Sequence, residues 1–429
     1  MRAEVFKIKY KDFLHCIFLI CLFQGVVSDY LGFRQINYLC DLLIVAVLIF
    51  KIFNNHTLKF HIKKNLEYFS IMLFSIIIVL GWIFNSVPLA QALWGIRNYG
   101  RFFIFYILAC LMWTDDDIYK MENVLLKIFP LHIILIAYQY FFEGLRQDFL
   151  SGIFGKTAGG NGGLMIYLSI MLCIIISRFE YKKISVMRFG IYFLLVLINS
   201  ALSELKFMFI LSIVLVVWYL LMSRHKGRGM ILALFVMIFL YIGVQVLYYV
   251  FPFWADYLTL DNIIKMISDQ KVYATAYDIG RTAVFSKLSP IICEWAGKDA
   301  LMWGIGLGAG DYSSTFTSLN SLFYLAYERM HYTWLSLGYL FVETGYLGTI
   351  AYVSFFVILE IKAILSYRKE SSYYNLLGSF FPLVFMILIV YNSTMRSNFA
   401  YLPFAVLTWQ VIMKKSCNQN KSFSLRGRR

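Results

Sequence analysis

Residues 230–251 read MILALFVMIFLYIGVQVLYYVF, with no Asp, Glu, Lys or Arg among them. A helical run of about 20 apolar residues matches the hydrocarbon core of a bilayer. Arg224, Lys226 and Arg228 stand just before this run, and the polar segment 252–330 follows it. A basic flank, an apolar run and a long polar segment together read as a membrane-spanning helix that delivers the chain into a large loop on the far side. Working outward, the same pattern recurs at 12–28, 36–53, 67–84, 96–113, 123–142, 162–178, 188–203 and 205–222. It recurs again at 343–361, 375–392 and 398–413. The expected fold is an all-α polytopic membrane protein with about 12 transmembrane helices and one large outer loop between helices 9 and 10. The expected regions are an N-terminal membrane region (1–251), a loop domain of short helices (252–330), a C-terminal membrane region (331–413) and a basic cytoplasmic tail (414–429).

Composition agrees with this reading. The chain is 60% apolar and 15% charged, whereas soluble domains sit near 45–50% and 25%, so a soluble multidomain enzyme is excluded. Most of the 39 Lys and Arg fall in short segments on one side, which puts both termini in the cytoplasm and 252–330 outside. The net charge of +15 is then a consequence of topology, and no nucleic-acid partner is expected. The first apolar stretch follows a basic start but no small-residue cleavage site follows it, so it reads as a retained helix. Seven scattered cysteines contain no CxxC and no metal-ligand spacing, which predicts neither a disulfide framework nor a metal site.

The chemically unusual residues collect on the expected outer side. Arg97 and Arg101 are four apart and share a helix face; their plain alternative is snorkelling to the interface. Lys156 lies in the glycine-rich stretch 154–163, FGKTAGGNGG, where bare backbone amides could approach an anion; a flexible loop is the bland alternative. Glu204 and Lys206 occupy the tight turn near Ser203, where they either neutralise each other or orient a substrate. Arg281 opens an amphipathic stretch ending at Trp295. The run Trp303-Gly-Ile-Gly-Leu-Gly-Ala-Gly310 lacks the strand and βαβ context of a dinucleotide site. His331 is the best general-base candidate among the outer residues because an ordinary imidazole titrates near pH 6.5. Arg396 sits in the last outer turn. Outer aromatics such as Trp254, Tyr273, Tyr277, Trp303, Tyr312 and Trp334 read chiefly as interface anchors, with sugar stacking as the alternative.

The order Gly280-Arg281, Gly304-x-Gly-x-Gly308, His331, then Glu343-x-Gly345-x-x-Gly348 resembles the C-terminal module of the O-antigen polymerase and ligase superfamily. Ile96-Arg97-Asn98-Tyr99, the glycine-rich loop and Ser203-x-x-Lys206 resemble polymerases of capsular and O-antigen repeat units. Tyr332 stands where the ligase-like pattern has Asn, which tilts the resemblance toward polymerase. The resemblance implies a glycosyltransferase of the bacterial inner membrane that joins undecaprenyl-diphosphate-linked oligosaccharides, with lipid diphosphate as leaving group. It needs no cofactor or metal, and its partners are membrane lipids and a chain-length regulator. Under it His331 deprotonates the acceptor hydroxyl and Arg281 meets the diphosphate. Arg97, Arg101 and Arg396 pair with phosphate, Lys156 and Lys206 assist, and Glu204 or Glu343 orients the acceptor. An O-antigen ligase and, from a different class, a lipid-glycan flippase or transporter are the alternatives.

Overall fold

The structure is a computed structural model that describes residues 10–53, 65–223, 226–252, 278–313 and 315–426; for Lys226 and 415–426 it describes the backbone alone. Among the described residues it is all-helical, with no strand. The helices are α1 (Tyr10–Asp29), α2 (Ile36–Phe53), α3 (Leu66–Asn85), α4 (Leu89–Met112), α5 (Asp115–Phe141), α6 (Gly160–Glu180), α7 (Val186–Leu202), α8 (Phe207–Met222) and α9 (Lys226–Val250). They continue with α10 (Val284–Ala296), α11 (Ala300–Trp303), α12 (Leu322–Tyr327), α13 (Ser336–Lys369), α14 (Tyr373–Tyr391) and α15 (Tyr401–Arg426). Eight of them, α1, α2, α3, α5, α6, α9, α13 and α14, are long and apolar enough to cross a membrane, and α7 and α8 are shorter apolar helices. The protein is therefore a polytopic membrane protein, as the apolar runs required.

Local chemistry explains where helices begin and stop. Asp117 accepts a hydrogen bond from the Thr114 amide at 2.9 Å, and Asp115 to Asp117 place negative charge at the start of α5, where exposed amides and the helix dipole favour it. In α10, Val284, Leu288 and Ile292 are buried at the four-residue spacing of one helix face. Some boundaries depart from the sequence reading. The helix expected at 96–113 begins at Leu89, so Arg97 and Arg101 lie well inside it. The helix expected at 343–361 runs from Ser336 to Lys369 and is broken at Gly345 (φ 60°, ψ −162°). The last helix continues to Arg426, through most of the expected tail.

Two compact units divide the chain, and they do not follow its order. One takes the described residues of Met1–Phe60, Arg101–Tyr167 and Asn398–Arg429; the other takes those of His61–Gly100 and Leu168–Ser397. In the first unit α1 packs on α2 and on the turn at Gly152–Phe154. In the second, α13 packs along α3 and α14, and α7 along α9. The segment expected as an outer domain forms short helices where it is described, and these belong to the second unit. Trp254, Tyr273 and Tyr277 lie outside the described residues.

Candidate active site

The second unit is organised around a break in α13. Backbone amides at 346 and 347 would ordinarily donate to the carbonyls at 342 and 343, but the left-handed Gly345 interrupts that ladder. Ile305 and Gly306 fill the gap: their amides donate to the Val342 and Glu343 carbonyls at 2.9 and 3.1 Å. The run that does so has Gly304, Gly306 and Gly308 all at positive φ, and a Cβ on Gly304 would come within 2.3 Å of the Glu343 carbonyl. Only glycine permits that approach. The glycine-rich run is thus a clip on the broken helix.

The clip brings Glu343 into a buried polar chain. Its carboxylate accepts from the Gly308 amide at 3.0 Å and from Arg396 Nη2 at 3.1 Å. Arg396 is bidentate on Asp311, at 2.9 and 2.8 Å. Asp311 also accepts from Asn98 Nδ2 at 2.5 Å, and the Asn98 side-chain oxygen accepts from Arg97 Nη1 at 3.1 Å. The Arg396 guanidinium lies 3.7 Å from the Tyr339 ring centre. Arg396, Asp311 and Glu343 are only 8%, 2% and 1% exposed. Burial alone would lower the Arg396 pKa, but Asp311 and then Glu343 outweigh it and hold it well above its ordinary value. Two buried carboxylates thus face one guanidinium that is fixed in a fork geometry. Arg396, expected to meet phosphate, instead ties the turn after α14 to α13 and to the segment after the glycine run. Arg97 is half-buried at the other end of this chain, with its guanidinium over Trp94 at 4.5 Å.

A second cluster forms where α8 and α13 begin and α14 ends. Tyr391, the last residue of α14, stacks on Phe207, the first of α8, at 4.1 Å. It also carries the exposed Arg281, whose Nε donates to the Tyr391 carbonyl at 3.0 Å and whose guanidinium lies 4.3 Å from the ring centre. Ser336, the first residue of α13, donates its amide to the Asn392 carbonyl at 2.8 Å. Just before α8, Lys206 and Glu204 form an ion pair at 3.1 Å. Two segments distant in sequence, one bearing Glu204 and Lys206 and the other Arg281, therefore meet at Tyr391 on a third.

His331 joins this end through Asp278. The Ile279 amide donates to the Met330 carbonyl at 3.2 Å, and His331 Nδ1 lies 2.5 Å from Asp278 Oδ1. The imidazole stacks on Trp334 at 3.9 Å with 14° between planes. A carboxylate on Nδ1 fixes the tautomer that leaves Nε2 free to accept a proton. The neighbouring Tyr332 is buried, which pushes its hydroxyl pKa well above the ordinary range. That hydroxyl donates to the Gly310 carbonyl at 2.6 Å, linking His331 to the glycine clip.

Backbone strain marks the same residues. Five non-glycine residues have positive φ among those described, and His331 (φ 51°) and Glu204 (φ 57°) are two of them. Glu204 occupies the left-handed position after α7, with its amide donating to Ala201 and the next amide to Ser200. This is the paired-bond helix ending that usually carries glycine. Strain of this kind costs of order 1–3 kcal/mol and gathers at functional sites.

The remaining expected residues belong to the first unit. Arg101 is buried, bonded to Asp41 at 3.0 Å and to the Asn398 side chain at 2.6 Å. The glycine-rich loop wraps a carboxylate of its own chain: Asp29 accepts from the Lys156 amide at 2.7 Å and from Thr157 at 3.1 Å. Lys156 Nζ lies 3.5 Å from Glu143 and 4.4 Å from the Tyr30 ring centre. Sequence reasoning missed Asp278 and Asp311. Neither carries a motif signal; each is a lone acid in a long polar segment. Among the described residues no group of three or more His, Cys, Asp or Glu is placed to hold a metal ion. No family model matches the chain, and no curated protein does.

Proposed function

We propose that the protein is a glycosyltransferase that joins lipid-diphosphate-linked oligosaccharide repeat units into a surface polysaccharide, at the outer face of a bacterial cytoplasmic membrane. In this reading twelve helices cross the membrane, both termini are cytoplasmic, and 252–330 lies outside. The observation that carries it is the His331–Asp278 pair, with Arg281 three residues beyond Asp278. His331 Nε2 takes the proton of the acceptor hydroxyl while that oxygen attacks the anomeric carbon of the donor. The bond from that carbon to the diphosphate breaks, and the lipid diphosphate leaves with the electron pair. Arg281 Nε is engaged with Tyr391, so its two terminal nitrogens remain to fork onto the diphosphate as its charge grows. Lys206, which precedes the Phe207 that stacks on Tyr391, adds positive charge at this end of the unit, and Glu204 pairs with that lysine. Arg396 is a positioning residue here: it fixes Asp311 and Glu343, and through the clip and Tyr332 it sets the backbone that presents His331.

The test is replacement of His331 by Ala and of Asp278 by Asn in the producing cell, with surface glycans resolved by size. Each change should leave protein level unchanged and reduce long chains by about 10²-fold or more, leaving single repeat units. A full ladder from His331→Ala overturns the proposal, and loss of every capped glycan with free polymer retained points to a ligase.

A further inference from the structure

We infer that Trp334 is a binding platform for the second sugar of the acceptor glycan, not for the sugar that reacts. The inference rests on His331 being the base and is argued from thickness. Trp334 is 60% exposed, and one face of its indole is covered by the His331 imidazole at 3.9 Å, nearly parallel. Its exposure therefore belongs to the opposite face and the edges. A pyranose resting its C–H face on that open side adds a further van der Waals separation of about 3.5–4 Å, which puts it about 7 Å or more from the imidazole plane. Proton transfer needs about 2.6–3.2 Å between heavy atoms. A sugar stacked on Trp334 therefore cannot be the one that loses its proton to His331. The reacting sugar reaches Nε2 past the edge of the indole, and the next sugar inward lies on the open face.

Asp278 strengthens the argument. Because Nδ1 is held at 2.5 Å by a carboxylate, the imidazole cannot turn to meet a hydroxyl from the indole side. The acceptor must come to Nε2, and Trp334 is the large flat apolar surface beside that approach. Trp334 also ends the short turn Tyr332–Trp334, which Tyr332 anchors to Gly310, so the platform is fixed to the same frame as the base.

The test uses the full chain in nanodiscs, labelled with 5-fluorotryptophan, with the Trp334 resonance assigned from Trp334→Phe. The probes are the repeat-unit oligosaccharide freed from its lipid and its terminal monosaccharide alone. The oligosaccharide should shift the Trp334 fluorine signal and the monosaccharide should not. In a transfer assay, Trp334→Ala should raise KM for a lipid-linked oligosaccharide acceptor about tenfold, a larger change than in kcat, and Trp334→Phe, which keeps a ring against His331, should restore most of it. An equal shift with the monosaccharide overturns the inference. So does a fluorine signal that ignores both sugars and is broadened only by spin-labelled lipid, which would make Trp334 an interface anchor. Because the fluorine readout does not depend on turnover, failure of His331 as base and failure of this platform remain distinguishable.

Discussion

Arg396 and Arg281 belong to one unit, and their surroundings are opposite. Arg396 is buried, forked onto Asp311 and touching Glu343; Arg281 is exposed and hangs over Tyr391 by its Nε. A buried guanidinium whose terminal nitrogens are bonded to carboxylates cannot turn them to an incoming anion without leaving those carboxylates uncompensated. An exposed one held by its inner nitrogen keeps its outer fork free. Arginine at the end of a span is therefore ambiguous in sequence, and its neighbours decide whether it is structure or contact.

The sharpest way to break this contrast is Arg396→Ala. It strands Asp311 and Glu343, so we expect a loss of about 3–5 kcal/mol, seen as a steep fall in folded protein by detergent thermal unfolding, with all product lost as a result. A folded, stable Arg396→Ala protein that lacks only polymer would move Arg396 to the contact class. Arg281→Ala should do the reverse: stability within about 0.5 kcal/mol and long-chain product abolished. Arg281→Lys should recover little, because an ammonium lacks the fork; full recovery would argue against bidentate pairing. Glu204→Gly is subtler. It removes left-handed strain and should leave thermal stability equal or raised by up to about 1 kcal/mol, while product falls several-fold as Lys206 loses its partner. Smallest of all, EDTA should leave transfer unchanged, and complete loss would demand a metal.

Helix positions were legible because each lipid-crossing segment must be apolar over its whole length. Each of the twelve expected segments overlaps one helix of the structure and overruns its ends by three residues at most, and eight of those helices are long and apolar enough to cross a membrane. Boundaries were less so: Arg97 and Arg101 looked terminal because charge lowers hydropathy, yet the helix begins at Leu89. Arg281, Glu204, Lys206 and His331 could be named from residue type, and the fold brings these four to one end of the second unit. Their partners could not. Asp311 lies 85 positions from Arg396 and Asp278 lies 53 from His331, and no periodicity links such pairs. The stretch 154–163 reads as an open cradle because sequence reveals bare amides but not Asp29, the carboxylate that already occupies them, and nothing in the run 303–310 points to Glu343, which its Gly308 amide meets.

The break at Gly345 also bears on how the chain is made. Synthesis runs from the N-terminus, and domains assemble in that order, so Ile305 and Gly306 leave the ribosome before the Val342 and Glu343 carbonyls they will serve. Until α13 arrives, the glycine run has nothing to hold. Once it arrives, helix and run must settle together, because neither completes its backbone hydrogen bonds alone. Correct assembly of the N-terminal part of α13 is thus a late event, dependent on a short piece of chain that has been waiting for it.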